Sequence, residues 1–459
     1  MRKIKQILLL ILIFTFTCSS FTPARAEQLL TKNSNVRVLI EVDDYKLSKY
    51  EPAKGTYLGA YVYQDTLING DMKKFNELTG KKHASFFIYV GYGSTFPQKW
   101  IDQLKEVGAA AHIAFEPNGG LDQVKDDEYL RSFAKKLNEA GIPVFLRFAS
   151  EMNGDWTAYS GDPKKYIEKW RLVHDVIKEE APNVMMVWTV FTFPQSNILS
   201  YYPGDDYVDW VGVNIYNVIY HNSNINQRAD QEDPLELLDY VYDTFSEIKP
   251  IQISEFGATH YTKTDGKYYE DFAIEKITCM YNGLKTKYPR VKSIFYFDVN
   301  NLVNAPEGRK INNYAITDNE RILKTYSNLI SNPYFLSDVG PNLEGTVNNE
   351  FMVVKDGILV LNGKTFVSSA VLQKYMKSRV FWDYQNNKLT VSKGSNTITV
   401  DIKSYKDIAN GQKGAFLSNG TSYFPLTEIA QQIGYTVKWD GNEKLIKVEF
   451  NKDSNEMLN

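Results

Sequence analysis

The chain is 459 residues long, carries a formal net charge of -3 and contains two cysteines. That length allows two domains, each with its own core. The near-balanced charge, with no Lys/Arg run, removes the electrostatic basis for a nucleic-acid partner.

At the start of the chain, Arg2, Lys3 and Lys5 precede an apolar stretch over 7–16, followed by Ala24-Arg25-Ala26. This pattern predicts a signal peptide over 1–26. Its apolar core is too short for a comfortable membrane span. The expectation is a secreted, extracellular protein, free or associated with the cell surface, with no stable span after cleavage. Cleavage would leave Cys279 alone, so no internal disulfide is expected despite an oxidising destination. The chain has 31 Tyr, 25 Phe and 7 Trp. Such content suits carbohydrate stacking, but composition does not separate stacking rings from core rings.

Residues 27–55 form an N-terminal extension in which 36–42 predicts an extra edge strand or a bottom cap. From 56 to 331, short apolar runs alternate with amphipathic stretches. The runs at 57–63, 84–90, 109–115, 144–148, 184–190, 210–215, 251–254 and 293–297 read as strands buried on both faces. Helical patterns lie between them. One has Ile167, Trp170, Val173, His174 and Ile177 on a single face. Asp162-Pro163 supplies an N-cap and an N1 proline, and Gly141 a C-terminal stop. Eight strand–helix units predict a (β/α)8 TIM barrel. The competing doubly wound sheet lacks a Gly-rich fingerprint after its first strand.

A linker over 332–349 contains Pro333, Gly340, Pro341 and Gly345. The region 350–451 repeats itself at one constant offset, before a short tail over 452–459. Val367 aligns with Phe424, Leu372 with Ile429, Met376 with Ile433, Trp382 with Trp439, Leu389 with Ile446 and Val391 with Val448. Each unit predicts a strand, a short helix and a hairpin, so this C-terminal α+β domain would be two repeats sharing one core.

In a barrel, chemistry sits at the C-terminal strand ends. Strand four runs into Glu151 through Phe148-Ala149-Ser150, and strand seven ends Ile253-Ser254-Glu255-Phe256-Gly257. These strands face each other across the mouth, so Glu151 and Glu255 form a candidate carboxylate pair for glycosidic bond cleavage. Arg147 lies four residues before Glu151, and alternation points both inward. Asn153 and Trp156 follow as a hydrogen-bonding group and a stacking ring. Trp188, Tyr216 and Asp298 end strands five, six and eight and complete the candidate binding set. For each of these a structural role is the alternative. Glu116, at the end of strand three, is a third candidate carboxylate able to perturb the acid.

Other chemistries have no motif. There is no H-E-x-x-H, no G-x-S-x-G and no P-loop. The five histidines are scattered, and His260 follows the second Glu motif. No metal site and no cofactor is expected.

Arg147 through Trp156, Val208 through Tyr216, and Ile253 through Gly257 resemble glycoside hydrolase family 26, a β-mannanase family of retaining (β/α)8 enzymes. The resemblance implies an endo-β-mannanase-like activity with Glu151 as acid/base and Glu255 as nucleophile. The family's His before the acid is Ser150 here, which opens the substrate to other β-linked polysaccharides. The repeat region resembles the copper amine oxidase N-terminal-like domain. It contains no His, so a histidine copper site is not expected. Its expected role is to hold the protein on a cell wall or exopolysaccharide. A weakly active or non-catalytic polysaccharide-binding protein is the alternative.

Overall fold

The computed structural model describes residues 36–451. The expected signal peptide over 1–26 and the tail over 452–459 lie outside the described residues. Eight parallel strands form the centre: Thr56–Tyr61, Ser85–Gly91, Ala110–Glu116, Val144–Phe148, Val184–Phe191, Trp210–Asn217, Ile251–Ala258 and Val291–Phe297. Each pairs with its neighbour in sequence, and the eighth pairs back to the first with Ser293 opposite Tyr57. The (β/α)8 barrel expected from the sequence is borne out.

The local signals act as read. Asp162 accepts from the Lys165 amide at the start of helix Pro163–Glu180, and Pro163 sits in its first turn. Gly141 adopts φ 66° just beyond helix Glu128–Glu139. The helices pack on the outer strand faces, which is why the strands are apolar on both sides. Inside, Tyr57, Phe145, Met185, Val187 and Trp210 fill the lower barrel, and Tyr50 and Leu336 close it from below. Above them the strands crowd at Gly212. A Cβ there would lie 2.2 Å from Thr189 Oγ1 and 2.5 Å from Ser254 Oγ, so only glycine leaves the register intact.

The repeat region folds as two similar units. Strand Lys364–Ser368, helix Ser369–Tyr375 and hairpin Arg379–Asp383/Lys388–Lys393 make the first. Strand Thr421–Pro425, helix Leu426–Gln432 and hairpin Tyr435–Asp440/Leu445–Phe450 make the second. The apolar repeat partners Val367, Leu372, Met376, Leu389 and Val391 bury in one core with Phe424, Ile429, Ile433, Ile446 and Val448. Trp382 and Trp439 remain at the hairpin tips, exposed.

The N-terminal extension corrects an expectation. Strand Arg37–Lys46 is neither a barrel edge nor a separate cap. It pairs in parallel with Leu445–Phe450 and antiparallel with Val347–Val353, and so completes the second repeat's sheet. The hairpin of the first repeat is instead extended by the local strand Asn396–Lys403. Val38, Ile40 and Val42 supply apolar side chains to the repeat core. The next few residues reach back to the barrel floor, where Lys49 O accepts from Trp210 Nε1 at 2.8 Å.

Charged groups are buried where the two domains meet below the barrel. The Lys292 ammonium and the Glu350 carboxylate pair at 2.5 Å with side-chain exposures of 2% and 6%. Arg290 lies with Glu51 at 3.3 Å, both fully buried, while Tyr45 donates to Glu51 at 2.8 Å. Ending the chain after Asn342 would therefore strand Lys292 without its counter-ion. Breaking one such buried pair costs about 3–5 kcal/mol. The truncated barrel is expected to unfold at distinctly lower denaturant concentration than the full chain. An unchanged midpoint would show that the two domains are energetically independent.

Among the described residues, no helix is long and apolar enough to cross a membrane.

Candidate active site

At the barrel mouth, Arg147 points inward from strand four and is fully buried. Its Nη2 donates to Glu255 Oε1 at 2.5 Å. Its Nη1 donates to Asn214 Oδ1 at 3.3 Å. The Asn214 amide in turn donates to Glu151 Oε1 at 2.7 Å. The two candidate carboxylates thus lie at the ends of one relay: Glu151, Asn214, Arg147, Glu255.

Their surroundings differ. Glu255 receives Arg147 and the Tyr89 hydroxyl (2.7 Å) on one oxygen and the Tyr216 hydroxyl on the other. Its donors are thus one cation and two phenols. Glu151 receives only neutral donors, Asn214 and Trp156 Nε1 at 2.9 Å. Desolvation in the mouth, and next the charge of Glu255, push the Glu151 carboxyl above its usual range, against the pull of these two hydrogen bonds. Of the two, Glu151 is the carboxyl set to hold a proton. Burial and the neighbouring Glu255 raise the hydroxyls of Tyr89 and Tyr216 well above the ordinary tyrosine range, so both stay donors.

Two backbone irregularities aim the pair. Strand seven is bulged: Val213 faces Ile253, but Asn214 faces Glu255, with Ser254 between. The extra residue lets Ser254 and Glu255 both face inward, which strict alternation forbids. Ser254 Oγ lies 3.1 Å from Thr189 Oγ1 inside the barrel. On strand four the ladder stops at Phe148. Ala149 and Glu151 take left-handed conformations, with φ 46° and 60°. Glu151 reaches the mouth through this turn and not through strand alternation.

Of the remaining residues expected here, Tyr216 and Trp156 are in the mouth. Trp156 is 43% exposed and lies edge-on to Phe191 at 5.3 Å. Three do not line the mouth. Trp188 is fully buried on the outer barrel face, against Tyr202 and Phe245 at 5.0 and 5.5 Å. Met185 and Val187 take the inward positions of its strand, so alternation sends Trp188 outward. Asn153 is buried and tethers the next loop: its amide donates to Phe191 O at 2.9 Å and its oxygen accepts from the Phe191 amide. Asp298 is buried beneath the rim and accepts from the Ile316 amide at 2.7 Å. Burial and the nearby Asp65 carboxyl raise it well above the usual carboxylate range. His260 is buried, 3.1 Å from Asp318.

Sequence reasoning missed Tyr89, whose ring is 45% exposed at the mouth although its hydroxyl reaches down to Glu255. It ends a run that reads as buried strand. A polar ring next to a strand terminus was the only signal. Asn214 stood inside the strand-six segment without a role. Among the described residues, no three His, Cys, Asp or Glu side chains converge so as to hold a metal ion.

Comparison with known proteins gives matches over both parts. Residues 118–237 match Glycosyl hydrolase family 26, and residues 346–448 match the Copper amine oxidase N-terminal domain. Both resemblances read from the sequence are borne out. The second match is one of fold: its residues include no His from which to build a copper site. Endoglucanase H of Acetivibrio thermocellus is 25% identical over 264 residues, covering 54% of this chain and 28% of that protein. Beta-1,3-xylanase of Alcaligenes sp is 24% identical over 276 residues, covering 58% of this chain and 53% of that protein. The chain thus spans about half or less of the length of these relatives. A solved structure, GH26C from Muricauda sp. MAR_2010_75, aligns over 63% of this chain and 90% of its own, with a TM-score of 0.46 and 16% identity.

Proposed function

We propose that this protein is a secreted retaining glycoside hydrolase that cleaves a β-linked polysaccharide, a mannan or a related β-glycan. The observation that carries the reading is the Glu151–Asn214–Arg147–Glu255 relay, which joins two carboxylates in opposite electrostatic settings. Glu151 donates its proton to the glycosidic oxygen while Glu255 attacks the anomeric carbon. The leaving sugar departs and an ester links the retained sugar to Glu255. Glu151, now ionised, takes a proton from water, which attacks the ester and frees Glu255.

The family match, and relatives named as an endoglucanase and a xylanase, support a β-glycan as substrate. Rings around the rim add to this. Tyr63, Trp156 and Phe193 are exposed on the loops after strands one, four and five and suit stacking on sugar faces. The C-terminal repeats would hold the barrel on a wall or polymer.

Reducing-sugar release should be measured on β-mannans, β-1,3- and β-1,4-xylans, β-glucans and bacterial exopolysaccharides. Release from at least one is expected. Binding with no release from any of them would leave a glycan-binding protein and end the enzymatic reading.

The pH profile is a second check. Glu151 must be protonated to act, so kcat/KM should fall as pH rises through its elevated pKa. Trp156→Phe removes a hydrogen bond that favours the ionised form. The alkaline limb of that variant is expected to move to higher pH. A shift to lower pH would remove Glu151 as the acid.

A further inference from the structure

Behind the acid lies a third carboxylate, which the proposed reaction does not use. Glu116 ends barrel strand three and is buried. One of its oxygens receives the Ser150 hydroxyl. The other receives the Ser150 amide at 3.1 Å and the Tyr159 hydroxyl at 2.5 Å. Tyr159 also lies 2.8 Å from Ser150 O. Glu116 thus grips Ser150 through its amide and its hydroxyl, and the Tyr159 hydroxyl bridges the carboxylate and the Ser150 carbonyl with its one hydrogen.

Its neighbours in the chain are the two residues with left-handed backbone, Ala149 and Glu151. Neither is a glycine, and non-glycine residues hold such conformations only where surrounding contacts over-determine them. The remaining contacts of the turn are single hydrogen bonds. Ala149 O accepts from Tyr166 at 3.1 Å, and the Ala149 and Glu151 amides donate to Phe115 O and Thr189 O at 3.1 and 3.0 Å. Among the described residues, only Glu116 makes several bonds to the residue between the two strained positions.

We infer that Glu116 is a positioning residue for the acid/base: with Tyr159 it clamps Ser150 and so holds the left-handed turn that aims Glu151. This rests on the assignment of Glu151 proposed above. A serine suits the clamp because its short hydroxyl lets the carboxylate approach the backbone. A bulkier side chain at 150 would need Glu116 to withdraw.

The clamp acts through the acid, so its loss should depend on how much the leaving group needs a proton. A 2,4-dinitrophenyl glycoside of the sugar released in the substrate panel needs none. Glu116→Ala is expected to lower kcat/KM on the polysaccharide about 100-fold, the lower end of what a general acid contributes, and to leave the rate of glycosyl-enzyme formation from the activated glycoside within a few fold of wild type. Glu116→Gln keeps one acceptor, and the Ser150 and Tyr159 hydroxyls can turn to accept, so it should retain most activity on both substrates. Equal losses on both substrates, or no loss on either, overturn the inference.

Ser150→Ala removes one of the bonds with little risk to folding, and should give a smaller loss of the same selectivity. Amide hydrogen exchange over 149–154 reads the turn without any substrate. It should be faster in Glu116→Ala and Ser150→Ala, and unchanged exchange in both refutes the clamp. If exchange responds as expected while the wild type cleaves nothing, the hydrolase reading falls and the clamp on the turn stands.

Discussion

Glu255→Gln is expected to lower the turnover of glycan by roughly four orders of magnitude, the scale on which loss of one member of a nucleophilic constellation acts. The amide has the shape of the carboxylate but does not attack the anomeric carbon. Gln is the informative replacement because of Arg147. That guanidinium is fully buried, and Glu255 is its counter-ion at 2.5 Å. A Gln oxygen still accepts from Arg147 and Tyr89, whereas Ala leaves the guanidinium facing empty space. Glu255→Ala would therefore lose stability as well as activity, and mix the two effects. Kinetics on the best substrate, with the unfolding midpoint of each variant, separate them. Activity of Glu255→Gln within tenfold of wild type would show that another group is the nucleophile.

Arg147→Met is the second large effect. Burial opposes the guanidinium's charge, but Glu255, Tyr89 and Glu116 outweigh it and raise Arg147 above its ordinary range, so it remains a cation. Its removal leaves Glu255 with two phenols and no counter-charge, and leaves Asn214 without the donor that orients its amide toward Glu151. Breaking a buried pair from one side costs about 3–5 kcal/mol. The denaturant midpoint should fall accordingly at constant m. Arg147→Lys should not restore activity, because a single ammonium lacks the planar fork that serves Glu255 and Asn214 together. The double variant Arg147→Met/Glu255→Gln should recover much of the lost stability, since no buried charge is then left unpaired. Additive losses in that cycle would mean that the pair is not coupled in the folded protein.

Much of the architecture was legible in the chain. Parallel strands covered on both faces need uninterrupted apolar runs, and those runs, punctuated by Asp162-Pro163 and Gly141, locate the barrel units. The repeat at a constant offset predicted one shared core, because partners such as Leu372 and Ile429 must face the same interior. The paired glutamates were legible for a related reason. A carboxylate that closes a buried run has few structural uses, and the mouth of a barrel is where such runs end.

Side-chain direction was not legible in those same runs. When every residue of a strand is apolar, pattern does not distinguish inside from outside, and Trp188 was placed on the wrong face for that reason. Asp298 and Asn153 were misjudged because polar residues near strand ends also serve as buried ties between loops. The partner of strand Arg37–Lys46 lies at the other end of the chain. No local pattern encodes a pairing of that range, which depends on which sheet edge is left open.

By itself the sequence determined the fold class and the two repeats and singled out two candidate carboxylates, since hydrophobic periodicity and residue chemistry are local properties. Only the tertiary structure decided how those carboxylates meet. The bulge at Ser254 turns Glu255 inward, and the left-handed turn at Ala149 and Glu151 brings the Glu151 carboxyl to Asn214. Both are backbone departures from regular alternation. Each is held by contacts from neighbouring strands, Thr189 for one and Glu116 for the other, that exist only once the barrel has closed.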